Sequence, residues 1–222
     1  MENEYLKRQV AKKRNMEYLL YLTFKRIADL ILSFSAIVTL LPILLIISSF
    51  YLYGENKGPV LFKQKRVGLD GKVFNIYKFR SMVCNAEEIL KKDAELYQKY
   101  CSNNYKLDPE EDPRITKFGC FIRKTSLDEL PQFFNVLKGE MSLVGPRPVV
   151  EEELLEYKEN RNKFLSVKPG ITGYWQANGR SNIGYPERVD IELYYVDHQC
   201  IRLYFVIIVQ TFMKVLLRKG AY

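Results

Sequence analysis

The chain has 222 residues, 47% of them apolar, with 34 Lys+Arg against 26 Asp+Glu and a formal charge of +8. That length allows one domain of ordinary size with an appendage; the apolar and aromatic content excludes a disordered protein, and 12 Gly with 9 Pro exclude a collagen or a linker. Four cysteines (Cys84, Cys101, Cys120 and Cys200) lack the spacing of a zinc site or a disulfide framework and fit a reducing compartment.

Residues 3–25 are expected to form a charged helical lead-in, with Met16, Leu19, Leu20, Leu22 and Phe24 apolar near its end. From Leu30 to Tyr53 no residue is charged over 24 positions. The charge lies on either side: residues 1–26 carry +4, Asp29 carries −1, residues 54–80 carry +5, and residues 81–222 are neutral. Two basic segments around an apolar run describe an anchor between patches that face anionic headgroups of membrane lipids. A nucleic-acid protein would carry its basic face on the folded domain, so no nucleic-acid partner is expected.

A straight helix of that length rises about 36 Å and could cross a hydrocarbon core of about 30 Å. It is not a signal peptide, because it starts late, is long and lacks a small-x-small cleavage pattern. Against a spanning helix stand the equal basic flanks, since spanning segments favour Lys/Arg on one side. Pro42 also interrupts the run. Thr39, Ser33 and Ser35 could return hydrogen bonds to freed carbonyls in a bent helix. A re-entrant helix with its kink at Thr39–Pro42 is the preferred reading. The expected organisation is a lead-in (1–26), a re-entrant membrane helix (27–53) and a cytoplasmic catalytic domain (54–222).

Val60 to Met82 reads as two short strands around the turn Leu69-Asp70-Gly71. A helix is expected from the cap Asn85 to about Tyr100, then a loop over Ser102–Pro113. Another helix is expected at Val150–Leu165, acidic at its start, and a further one from Pro186. The last, Ile201–Leu217, has a wide apolar face that is either core or membrane interface. The fold class is thus α+β, mainly helical, with a small β-hairpin and amphipathic interfacial helices.

The richest stretch for chemistry is Arg123 to Gly139. Ser126 and Glu129 have the spacing of a capping box, and Asp128 is an alternative cap that puts Pro131 harmlessly in the first turn. Either way, two adjacent carboxylates open a helix behind Arg123 and Lys124. A carboxylate held there stays ionised, as a nucleophile or metal ligand must be. Capping and catalysis both fit this spacing. In Gly145-Pro146-Arg147-Pro148 two prolines aim a guanidinium suited to an oxyanion. Lys78 and Arg80 end the predicted second strand, and Arg114 follows Asp112-Pro113. Lys168-Pro169-Gly170-Ile171-Thr172-Gly173 and Trp175 to Arg180 form a glycine-containing segment that could approach a ligand or be a plain loop. His198, the sole histidine, reads as a surface or packing residue.

Together these segments resemble the bacterial sugar transferase family, the monotopic polyprenyl-phosphate phosphoglycosyl transferases, in their small form without additional N-terminal membrane helices. The resemblance covers Lys25 to Tyr222. It rests on the apolar run, Gly58-Pro59-Val60, Gln64-Lys65-Arg66-Val67-Gly68, Tyr77 to Met82, Asp112-Pro113-Arg114, the Asp128-Glu129 and Gly145 to Pro148 stretches, and Lys168 to Gly173. It implies a site on the cytoplasmic face of the bacterial inner membrane. The implied reaction transfers a sugar-1-phosphate from a UDP-sugar to undecaprenyl phosphate, releases UMP, and starts assembly of a glycan. By the same resemblance, Asp128 would be the nucleophile of an aspartyl-phosphosugar intermediate and Glu129 a Mg²⁺ ligand. Arg114, Arg147, Lys78 and Arg80 would bind substrate phosphate. Family members often place Ser before the membrane proline, whereas Leu41 stands here. The segment Arg218 to Tyr222 resembles that of hexose-1-phosphate transferases. The rival readings are a membrane-anchored glycosyltransferase that releases UDP, and a non-catalytic scaffold whose carboxylates only cap a helix.

Overall fold

Lead-in and apolar run join in one helix, α1 (Glu2–Ser49), which continues through Pro42. The computed structural model of the chain describes residues 2–103, 107, 112–178 and 183–217, with side chains from Met16 onward except Leu216. Arg180 and Arg218–Tyr222, singled out above, lie outside the described residues, as does most of the loop before Asp112. Met16–Ser49 is long and apolar enough for a membrane segment, and most of its surface is exposed. One stripe of α1 is buried: Tyr21, Lys25, Asp29, Ser33 and Ile47, continued by Tyr51. The hydroxyls that return bonds to α1 carbonyls are Thr23, Ser48 and Ser49, near the ends of the run and not at Pro42. Ser33 Oγ, expected to do so, is buried without a partner among the described residues.

Both ends of the apolar run dock on the rest of the chain. At the near end Lys25 donates to Ser142 Oγ, and Arg26 donates to the Val136 and Leu137 carbonyls at 2.6 and 3.0 Å. Asp29 accepts from the Leu143 amide at 3.0 Å and from the Tyr204 hydroxyl at 2.8 Å. At the far end Ile47 and Tyr51 share an apolar cluster with Phe79 and Ile122, and Phe50 stacks on Phe118.

The predicted hairpin is present. Strand β1 (Leu61–Val67) pairs antiparallel with β2 (Val73–Phe79), Leu61 opposite Phe79 and Val67 opposite Val73. Its turn puts Asp70 and Gly71 at positive φ, where glycine carries no Cβ penalty. Phe74 and Ile76 face the core; beyond them the alternation breaks, and Phe79 and Arg80 are both buried.

Two expected helices are corrected. The Asn85–Tyr100 helix divides at Asp93 into α2 (Ala86–Lys92) and α3 (Ala94–Ser102), because Asp93 turns extended and caps α3 through the Leu96 amide. Over Val150–Leu165 the chain forms 3₁₀ turns at Glu152–Asn160, broken at Lys158 (φ 43°). A single short helical turn, α6 (Arg161–Phe164), follows. Tertiary bonds override helical periodicity there: Glu153 is drawn to Arg66 and Arg188, and Tyr157 to Glu192.

After α4 (Lys117–Lys124) and α5 (Gln132–Lys138) comes a parallel pair that the sequence did not announce, β3 (Ser142–Val144) with β4 (Gly170–Thr172). Helices α6 (Arg161–Phe164), α7 (Tyr174–Asn178), α8 (Glu187–Asp197) and α9 (Ile201–Leu216) complete the described chain, with Pro186 just ahead of α8. Helix α9 is core on one face. Tyr204 and Ile207 are core, whereas Phe205, Val209, Phe212 and Met213 leave an apolar face exposed.

Candidate active site

Asp128 and Glu129 are held between two helices by local chain geometry. Thr116 caps α4 through the Gly119 amide at 2.9 Å, and a Cβ at Gly119 would lie 1.8 Å from the Ser81 carbonyl oxygen. That contact fixes α4 against the end of β2. After α4, Ser126 adopts a left-handed conformation (φ 56°) and the chain makes a 3₁₀ turn over Leu127–Glu129. Leu127 and Leu130 pack into the Ile47–Tyr51 cluster and fix the turn on the end of the membrane-type segment.

Neither capping alternative occurs. No cap bond is made by the side chain of Ser126, and α5 starts after Pro131, where the missing N–H is harmless. Gly139 ends α5 at φ 83°, as its position suggested.

Asp128 is buried, with 7% of its surface exposed. Lys78, delivered by β2, bonds Glu129 at 2.7 Å, and the Glu129 side chain is 37% exposed. Burial pushes the Asp128 carboxyl up to about 6; the Glu129 charge adds to this, and Lys78 and Arg123 oppose it. Desolvation thus outweighs the cations and makes the expected ionisation less favourable without abolishing it. At neutral pH the group is still mostly carboxylate. Among the described residues no three His, Cys, Asp or Glu side chains cluster as a protein-only metal cage.

The basic residues separate into different settings. Lys78 belongs with Asp128 and Glu129. Arg80 is turned to backbone: it donates to Pro59 O at 2.9 Å, to Met82 O at 2.8 Å and to Asn56 O, and it lies over the Tyr51 ring. Arg114 forms a bidentate pair with Asp112 at 2.8 and 2.7 Å and faces the Tyr100 ring. Arg147 is half-buried, with its Nε buried and unpartnered among the described residues.

A second group surrounds the Arg147 turn, and motif reading missed most of it. Arg66 donates to the Pro148 carbonyl at 3.2 Å and to Glu153 at 3.3 Å. Arg188 pairs with Glu153 and Glu192. Burial lowers the Arg66 guanidinium to about 10, with Arg147 repelling it further. Glu153 moves the other way: burial would raise it, but Arg147, Arg188 and Arg66 together hold it below the usual carboxylate range. Arg66 stood in a quoted motif and could have been found there. Glu192 carried no such signal, since an Arg–Glu pair four apart on a helix reads as surface.

The glycines after Lys168 approach backbone. A Cβ at Gly170 would lie 2.1 Å from the Gly145 nitrogen, and one at Gly173 equally near the Gly145 carbonyl oxygen. That segment braces the Gly145–Pro148 turn through β3 and β4. His198 is exposed and stacks on Tyr194.

The family model for bacterial sugar transferases matches residues 20–218. The chain is 43% identical over 201 residues to the undecaprenyl-phosphate galactose phosphotransferase of Salmonella typhimurium, covering 89% of this chain and 41% of that protein. It is 39% identical over 209 residues to the UDP-glucose:undecaprenyl-phosphate glucose-1-phosphate transferase of Klebsiella pneumoniae, covering 90% of this chain and 42% of that one. The chain therefore spans about two-fifths of these longer relatives. Against the exopolysaccharide production protein ExoY of Sinorhizobium fredii it is 36% identical over 202 residues, covering 89% and 88% of the two chains. Matched across most of its length by the family model and along nearly the whole of ExoY, the chain belongs to the bacterial sugar transferase family.

Proposed function

We propose that the protein transfers a hexose-1-phosphate from a UDP-sugar to undecaprenyl phosphate at the cytoplasmic face of the bacterial inner membrane, initiating polysaccharide assembly. The observation that carries this reading is the buried Asp128 beside the Lys78–Glu129 pair, on a turn packed against the apolar helix. Relatives named for undecaprenyl-phosphate galactose and glucose-1-phosphate transfer support the substrate class.

In the first step an Asp128 carboxylate oxygen attacks the phosphorus that bears the sugar. The phosphoanhydride bond breaks and UMP departs with the bonding pair. In the second, an oxygen of the lipid phosphate attacks the same phosphorus and releases the Asp128 carboxylate. Splitting the reaction in this way lets a water-soluble donor and a membrane-bound acceptor use one site in turn. Low exposure of Asp128 strips hydration from the attacking oxygen, and a carboxyl near 6 is mostly ionised at neutral pH. Lys78 and Arg123 offset the negative charge gathered around it.

The donor set suits Mg²⁺. Two adjacent carboxylates, with no third acid nearby among the described residues, match an ion that takes one or two protein carboxylates and completes its shell with substrate phosphates and water. Glu129 would hold it, exchanging its Lys78 contact, and the ion would supply charge neutralisation on the phosphates. Arg147, whose guanidinium makes no hydrogen bond among the described residues, is the leading phosphate ligand, and Arg114 would have to open its pair with Asp112 to take part. Arg80 serves the loop before β1.

The apolar segment of α1 enters and leaves the membrane from one side in this reading. Docking of both its ends on one domain supports it.

The test is single-turnover chemistry. Enzyme with Mg²⁺ and UDP-galactose or UDP-glucose, without lipid, should release UMP in an amount approaching the enzyme concentration and gain the mass of one hexose phosphate. Asp128→Asn should give neither. Release of UDP as the product, or full lipid-dependent turnover by Asp128→Asn, would overturn the covalent route.

A further inference from the structure

We infer that Glu192 is a positioning residue for Arg147, fixing the peptide that aims its guanidinium. This rests on the reading of Arg147 as a ligand for the donor phosphates. The peptide joining Pro146 to Arg147 is held at both ends: Gly170 N–H donates to the Pro146 carbonyl at 2.8 Å, and the Arg147 N–H donates to Glu192 Oε1 at 3.2 Å. On the far side of the turn Arg66 donates to the Pro148 carbonyl at 3.2 Å. The prolines fix their own φ, and Pro148 restricts the backbone of Arg147, so rotation of that one peptide is the main remaining freedom. Glu192 removes it.

The cost of the device shows that it is more than a surface ion pair. Glu192 is 1% exposed, and burying a carboxylate is expensive unless its acceptor sites are filled. They are filled by three groups: the Arg147 amide, the Tyr157 hydroxyl on Oε2, and Arg188 Nε at 3.3 Å on Oε1. Arg188 is itself buried and lies over the Trp175 ring. Arg188 and Tyr157 hold the carboxylate, and its remaining bond reaches the backbone of Arg147. A small error in the aim of a charged clamp is costly in rate, which gives this bond a catalytic consequence at a distance from the reacting atoms.

The experiment is a double-variant cycle on the full chain in detergent or nanodiscs, with whichever of UDP-galactose and UDP-glucose is turned over. Glu192→Met keeps length but removes both acceptor oxygens, whereas a glutamine could keep its oxygen on the Arg147 amide and turn its N–H₂ to the Tyr157 hydroxyl. Glu192→Met should lower kcat/KM for the UDP-sugar about tenfold while KM for undecaprenyl phosphate moves less than about twofold. In an Arg147→Ala background the same substitution should cost less than about twofold, because the group it positions is gone. Should Glu192→Met fail to fold, Glu192→Asp keeps the charge facing Arg188 and withdraws it from Arg147 by one methylene, with the same coupling expected. An equal loss in both backgrounds, or a loss spread over both substrates, overturns the positioning role. An Arg147→Ala enzyme of undiminished activity instead overturns the phosphate-ligand reading of Arg147, whatever Glu192 does.

Discussion

Arg80 gives its guanidinium to three backbone carbonyls and is buried; Arg147 has no partner for its Nε among the described residues. Truncation should therefore act on different properties. Arg80→Ala strands three carbonyls and should lose about 3 kcal/mol or more of stability, seen as a lowered midpoint of thermal or denaturant unfolding. Arg147→Ala should shift its unfolding midpoint far less than Arg80→Ala and lose about tenfold to a hundredfold in turnover, since one charge-assisted contact contributes about 1.5–3 kcal/mol. Asp128 allows a prediction about pH. Its carboxyl rises from 3.8 to about 6 on folding, so between those values the native state binds more protons than the unfolded chain. Stability contributed by this group is then greatest at low pH and falls as pH rises through about 6, by up to about 3 kcal/mol. Asp128→Asn removes the burden of a buried charge. In metal-free protein its unfolding temperature should exceed that of the parent at pH 8, with the gap closing toward pH 4; a gap independent of pH would contradict the burial argument. Motif reading found both arginines and both carboxylates. It could not tell a guanidinium spent on carbonyls from one with a free nitrogen, because those carbonyls, on Asn56, Pro59 and Met82, carry no side-chain signature.

Elements whose cause is local were legible, and those set by tertiary partners were not. The hairpin follows from strand patterning and the Asp70-Gly71 turn, and α9 from its own apolar face. The break at Asp93 was visible only as one more acidic residue, although Asp is a good cap wherever the chain turns extended. Over Glu152–Asn160 the sequence has helical composition, but buried bonds from Glu153 and Tyr157 to distant arginine and glutamate win. The parallel pairing of β3 with β4 had no signal because each strand is three residues long. Glycine supplied a signal whose target was unclear: Gly119, Gly145 and Gly170 are required by backbone approaching backbone. Gly119→Ala should thus destabilise by several kcal/mol, since its Cβ would meet the Ser81 carbonyl at 1.8 Å and neither backbone can yield cheaply. Gly54→Ala, with nothing within 4 Å but φ of +67°, should lose only about 1–2 kcal/mol by comparison in the same unfolding assay.

At the scale of the whole molecule the question is what a long apolar helix does while both its ends are occupied. From Lys25 to Ile47 an α-helix rises about 33 Å, close to the thickness of a hydrocarbon core of about 30 Å. Were that length threaded through a bilayer, the Asp29 contacts with Leu143 and Tyr204 and the Ile47–Tyr51 contacts with Phe79 and Ile122 would fall in different compartments. One folded domain makes both sets, which supports the proposed placing of both ends on one side. The exposed faces agree: Ile31, Phe34, Leu45 and Ile46 on α1 and Val209, Phe212 and Met213 on α9 offer apolar surface, with Phe24 and Phe205 in edge contact where the two helices meet. The equal basic flanks of the sequence suit the same proposed arrangement. Single cysteines at Glu17 and at Glu55, both exposed, on a background without the four native cysteines should therefore react with a membrane-impermeant maleimide from the same side of sealed vesicles. Glu17→Cys and Glu55→Cys labelled from opposite sides would establish a spanning helix, and the domain contacts at one end of α1 would then have to be absent in the membrane.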